Sequence, residues 1–210
     1  NAFLAGSGQT AILANGEYLS GQPRLSFSGM NNKTLWAENL HQASFAYANS
    51  SDASQSGRGT CISCAGGTFI SLNGLRAAQG RYYGIALSGN TNFEGLPSHH
   101  ITVSHCLVEN MDMGAIKMDN GSDSTAPAYR SHHLTVQYSI IRNIGRNWPG
   151  DSSPYFCEGI YMGSGSNTTG IQGVEDVLIL KNTIQPNTIG LTYDNRVSGE
   201  AIEAKVGCKN

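Results

Sequence analysis

Charge is scarce in this chain. Only 13% of its residues are Asp, Glu, Lys or Arg, and 13 basic against 15 acidic residues leave a net charge of −2. No basic footprint marks a nucleic-acid partner, and the strongly charged composition of a disordered tail is excluded. Proline is rare as well, with 6 in 210 residues, which excludes a proline-rich linker. No apolar run approaches the roughly 20 residues that cross a bilayer as a helix, so no membrane partner is expected. Helical periodicity does not persist over any long window. Neither a Ser-His-Asp order nor a phosphate-binding glycine loop stands out.

What the chain has instead is repetition. SHHITVSHCLVENMDMGAIKMDNG (98–121) returns as SHHLTVQYSIIRNIG (131–145) followed by CEGIYMGSG (157–165). A third copy is VEDVLILKNTIQPN (174–187) with GEAIEAKVG (199–207), and a weaker early one is FISLNGLRA (69–77) with YYGIALSGN (82–90). The repeat predicts a solenoid with two short apolar strands per turn. It aligns Leu75, Leu107, Ile140 and Ile184 on one position. Three residues further on stand Asn110, Asn143 and Asn187, with Ala78 in the first copy. Stacked asparagines hydrogen-bond along such a column and tolerate left-handed turns.

In the second strand, side-chain alternation sends Ile85/Leu87, Ile116/Met118, Ile160/Met162 and Ile202/Ala204 inward. The outward column then reads Ala86, Lys117, Tyr161, Glu203, and its neighbour Ser88, Asp119, Gly163, Lys205. The expected fold is all-β, a parallel β-helix in a single domain spanning 1–210. Residues 1–65 form the N-terminal cap and first coils, with Trp36, Phe45 and Tyr47 over the open end of the core. Residues 66–210 form regular coils, which are expected to continue past the last residue. GQTAILANGEY (8–18) resembles the GDTIxLxxGxY start of pectate-lyase-like β-helices. The fold-level resemblance to that superfamily covers nearly the whole chain and implies its right-handed parallel β-helix.

Loop insertions at 121–131, 146–156 and 165–173 flank the outward columns, where they can wall a groove. Tyr129, Arg130, Trp148 and Tyr155 suit stacking on sugar rings, or simply pack the loops down. Polar outward residues need only water to explain them. A tyrosine and two lysines set among carboxylates on adjacent coils point further, to a site.

Such a group suits β-elimination on an acidic polysaccharide. A base removes the proton alpha to a uronate carboxylate while another group neutralises that carboxylate. Lys205 and Tyr161 are the candidate bases. Lys117, Asp119, Arg130 and Trp148 are the candidate substrate contacts. Asp119, Glu200 and Glu203 are candidate ligands for calcium, the cofactor this reading expects. Glu200-x-x-Glu203-x-Lys205 is similar to the acidic-then-lysine strand of the chondroitinase-B and alginate-lyase family of polysaccharide lyases. The resemblance implies calcium at Glu200 and Glu203 and the base role for Lys205.

Two alternatives stand beside the lyase. A glycoside hydrolase would use a carboxylate pair such as Asp119 and Glu203. A non-catalytic fibre protein would self-associate end to end through an uncapped C-terminal end near Cys208.

The remaining signals are local. Asn1 in place of Met fits a secreted, extracellular protein whose signal peptide has been removed, or a fragment of a longer chain. Sequons at Asn32, Asn49, Asn120 and Asn167 mark candidate glycosylation sites, all but Asn120 in expected loops. Five cysteines, Cys61, Cys64, Cys106, Cys157 and Cys208, leave an odd one. Cys61 and Cys64 have CxxC spacing without the context of a redox or zinc site, and are expected as a local disulfide or two buried thiols. His99-His100 and His132-His133 share one repeat position. They mark either a repeated turn or a transition-metal site.

Overall fold

The structure is a computed structural model that describes residues 9–18, 25–47, 59–88, 97–119, 130–145, 158–163, 174–185, 201–204 and 208. Among these, eighteen strands form three sheets of six. The first sheet holds β1 (Thr10–Leu13), β4 (Asn31–Ala37), β7 (Thr68–Asn73), β10 (His99–Ser104), β13 (His132–Gln137) and β16 (Glu175–Leu180). The second holds β2 (Gly16–Glu17), β5 (Ala43–Ala46), β8 (Arg76–Ala78), β11 (Leu107–Met111), β14 (Ile140–Ile144) and β17 (Thr183–Gln185). The third holds β3 (Leu25–Ser26), β6 (Ile62–Ser63), β9 (Tyr83–Ser88), β12 (Gly114–Asp119), β15 (Ile160–Met162) and β18 (Ile202–Ala204).

Each sheet takes every third strand, and the pairings are parallel. One strand of each sheet therefore makes one coil, and the coils stack as a parallel β-helix. The core is a set of columns running up the stack. In the third sheet Ile62, Ile85, Ile116 and Ile160 lie in register, all fully buried. Phe45, Ala77, Val108, Ile141 and Ile184 lie in register in the second sheet, buried except for the partly buried Ile184. Leu35, Leu72, Val103, Val136 and Ile179 do so in the first, with Ile179 partly buried. Burying each isoleucine stabilises the fold by about 1.5–3 kcal/mol before chain entropy is counted.

The corners explain why a coil has three strands where the sequence predicts two. Twelve non-glycine residues adopt positive φ among the described residues, and most fall in columns. Gly74, His105, Tyr138 and Lys181 follow the first-sheet strands, each with φ between 51° and 71°. A left-handed residue there swings the chain into the second sheet, so what reads as one long apolar strand is two. Gln79, Asn110 and Asn143 form another column at φ 54–59°. Asn143 Nδ2 donates to Asn110 Oδ1 at 3.2 Å, so the expected asparagine ladder exists between these two. The first copy contributes Gln79 to it, not Ala78, which pairs with Glu109. Asn187 lies outside the described residues.

Other expectations shift by one residue. Leu107 pairs with Arg76 and Ile140 with Thr183, so Leu75 and Ile184 do not share the position of Leu107 and Ile140. Leu75 is instead a buried turn residue, whose carbonyl accepts from Leu107 N. Phe45 and Tyr47 are buried as expected, but Trp36 is 50% exposed on the outer face of β4. Asn32 lies inside β4, in an exposed left-handed position, and not in a loop. Asn49, Asn120 and Asn167 lie outside the described residues.

Cys61 and Cys64 are both buried thiols, and Cys61 Sγ donates to the Ala78 carbonyl at 3.4 Å. Burial pushes the Cys64 thiol far up, and that of Cys106 up to about 12. Buried thiols of this kind pack as small apolar groups. Cys208 is half-buried, and Cys157 lies outside the described residues.

Candidate functional site

The outer face of the third sheet carries the titratable groups that the repeat singles out. The register places Ala86, Lys117, Tyr161 and Glu203 in one row across β9, β12, β15 and β18. Ser88 and Asp119 pair in the neighbouring row. Strand alternation puts Lys117 and Asp119 two residues apart on one face, and they meet there: Lys117 Nζ lies 2.5 Å from Asp119 Oδ2. The same ammonium sits 5.5 Å from the centre of the Tyr83 ring, a cation–π distance.

Tyr83 is the residue that sequence reading misses. It pairs with Gly114, and a Cβ at that glycine would come within 2.6 Å of Tyr83 Cε1. The missing side chain is what lets the phenol ring lie against β12. The only signal in the sequence is the tyrosine pair Tyr82-Tyr83 placed one coil before Gly114.

Burial on this face exceeds what an outward strand facing water should show. Asp119 is 5% exposed and Tyr161 is 7% exposed, while Lys117 is half-buried. The Asp119 carbonyl also accepts from Ser131 Oγ at 2.7 Å, which ties the end of β12 to the start of the next coil. A carboxylate and a phenol shielded from water beside an ammonium is an arrangement in which charges act strongly on a bound group.

Arg130, expected as a substrate contact, is buried, and its Nη1 donates to Glu175 Oε1 on β16, which ties two coils together. Trp148, Lys205 and Glu200 lie outside the described residues, and for Glu203 only the backbone register is described. Tyr161, Lys117, Asp119 and the Glu203 backbone are therefore the expected site residues that come together.

Of the expected calcium ligands only the Asp119 carboxylate is among the described side chains, and Lys117 Nζ lies 2.5 Å from its Oδ2.

No family model and no curated protein matches the sequence. Among solved structures, the chain is similar to an alginate lyase from Paenibacillus sp. str. FPU-7, with a TM-score of 0.63 and 16% sequence identity. The alignment covers 99% of this chain but 59% of that one, so the chain spans about three-fifths of its structural neighbour. At this identity the likeness is one of fold, the parallel β-helix.

Proposed function

We propose that the chain is a carbohydrate-active β-helix that cleaves an acidic, uronate-containing polysaccharide by β-elimination. The observation that carries the reading is the match of nearly the whole chain to the β-helix of an alginate lyase. The row of Lys117, Tyr161 and Glu203 supports it from the side of chemistry. In the proposed step a base takes the proton on C5, the electron pair becomes the C4–C5 double bond, and the C4–O glycosidic bond breaks. The departing oxygen takes up a proton.

Tyr161, in the middle of the row, is the base in this reading, with Lys205 as the other candidate. The Lys117 ammonium keeps two donor hydrogens beyond the one facing Asp119, and they neutralise the uronate carboxylate. A hydrolase built on Asp119 and Glu203 would first have to free Asp119 from Lys117, so the lyase is preferred. Uronate polymers of this kind lie outside cells, and secretion belongs to the proposal.

Tyr161→Phe tests the base directly, because it keeps the ring and removes the acid–base group. The rate of unsaturated product formation should fall by roughly a hundredfold or more, the usual worth of a general base, with the far-ultraviolet dichroism unchanged. An unaltered rate would remove Tyr161 and leave the role to Lys205.

A further inference from the structure

The doubled histidines stand on the first sheet, away from the proposed catalytic row, and the fold gives them a geometry that a repeated turn does not require. His99 pairs with His132, and each is followed by a left-handed residue, His100 and His133, both at φ 53°. A strand normally sends successive side chains to opposite faces. The left-handed bulge breaks that alternation, so both histidines of each pair face outward before Ile101 and Leu134 turn inward.

Four imidazoles are thereby packed as a two-by-two block. His99 stacks on His132 at 5.0 Å with 7° between the rings, and His100 on His133 at 4.5 Å with 6°. Within each pair the Nδ1 atoms approach, to 3.0 Å for His99 and His100 and to 2.7 Å for His132 and His133. Phe69 closes one end of the block, stacked on His100 at 4.7 Å. Asp176 closes the other, its Oδ2 lying 3.6 Å from His133 Nδ1. Desolvation, and then the charge of neighbouring rings, holds His99 and His132 below the ordinary histidine value.

One ring nitrogen from each of His100, His132 and His133 lies within 4.8 Å of the other two. An ion bonded to imidazole at about 2.0–2.1 Å separates opposite ligands by at most about 4.2 Å, so the set closes on a single ion when the stacked His100 and His133 rings turn out of parallel and their in-plane lone pairs converge. The spacing follows from the fold, since neighbouring coils hold equivalent residues about 4.8 Å apart.

We propose that His100, His132 and His133, with Asp176 as the carboxylate partner, form a site for a divalent transition metal. Imidazole donors with one carboxylate favour zinc or copper(II) over calcium or magnesium. The ion would take the place of the proton shared within the His132–His133 pair, the donor ring shifting its hydrogen to Nε2. Bonds to rings on two neighbouring coils would make the site a staple across the stack as well as a binding site. His99 positions His100 through the Nδ1 contact.

The test is calorimetric titration of the untagged, chelator-treated chain with zinc ion. The expected result is one saturable site per chain in the micromolar range or tighter, with a melting temperature that rises with zinc. His132→Gln and His133→Asn should each weaken binding by at least roughly tenfold, the effect of losing even an outer partner of a metal site, and reduce the thermal shift at a given zinc concentration. Asparagine is chosen at 133 because it tolerates the left-handed backbone there. If His132→Gln fails to fold, His100→Asn, on an exposed ligand, reads the same site. His105→Asn, on a separate column stacked on Tyr138, should bind zinc as the parent does. Absence of saturable binding to the parent chain, or equal affinity in the ligand variants, overturns the proposal.

Discussion

Glu109 Oε2 accepts both Nε and Nη2 of Arg142, at 2.8 and 2.7 Å, across the gap between two coils. On the other side Arg76 Nε donates to Glu109 Oε1 at 2.7 Å and Arg76 Nη1 to Ser44 Oγ at 3.0 Å. Three successive coils are thus tied through one carboxylate on the outer face of the second sheet. Burial works to raise the Glu109 carboxyl, but the hydrogen bonds and charges of the two arginines outweigh it and hold it below the usual carboxylate range.

A depressed carboxylate contributes stability at pH values above its unfolded pKa, and that stability is lost as pH falls through the folded value. Glu109→Gln should therefore cost about 2 kcal/mol at neutral pH and flatten the acid limb of the stability curve. Urea midpoints measured from pH 7 down to pH 3 check both. Parallel acid limbs for parent and variant would show that Glu109 is not the group that titrates.

Gly84 in β9 leaves room that its neighbours have filled. A Cβ there would come within 2.2 Å of Val108 Cγ1 and 3.1 Å of the Ala115 carbonyl oxygen. Gly84→Ala should destabilise by about 1–3 kcal/mol through overpacking between the second and third sheets. Gly84→Ala combined with Val108→Ala should recover part of that loss. Chemical denaturation of both variants measures it.

Asn143 separates two effects, a left-handed backbone at φ 54° and a hydrogen bond to Asn110. Asn143→Gly loses only the bond, whereas Asn143→Ala also forces a Cβ into the left-handed region, at about 1–2 kcal/mol. The alanine variant should therefore melt below the glycine variant. Equal melting temperatures would mean that the turn relaxes to another conformation.

Lys117 is expected to act on the substrate carboxylate. Lys117→Gln should lower kcat/KM on a uronate polymer by at least roughly tenfold, as loss of a charge aimed at the transition state requires, while the dichroism spectrum stays unchanged. Steady-state rates against polymer concentration check it. An effect on melting temperature alone would make the Lys117–Asp119 pair purely structural.

Much of this molecule is legible in its sequence where side chains alternate without interruption. Ile116 aligned with Ile160, and Lys117 with Tyr161 and Glu203, because the strands of the third sheet keep a period of two and their neighbours sit directly above them. Legibility fails at the left-handed positions. His105, Tyr138 and Lys181 turn the corner between the first and second sheets, yet their residue types do not announce positive φ as glycine or asparagine would. Two strands therefore read as one, and the alignment of Leu75 and Ile184 slipped by a residue. Phe69, His100 and His133 share the difficulty, since stacking between coils holds them in conformations that isolated residues disfavour. The burial of Asp119 and Tyr161 was hidden for a different reason: a pattern gives the face on which a residue stands, not what covers it.

The central claim is elimination chemistry, and the most direct measurement follows ultraviolet absorbance during incubation with alginate, pectate, glucuronan and chondroitin, each with and without calcium. Elimination leaves a carbon–carbon double bond conjugated to the uronate carboxylate, so absorbance should rise with at least one polymer, and the responsive polymer identifies the substrate. A flat trace on all four, in both conditions, would contradict the account and turn attention to light scattering for end-to-end fibres.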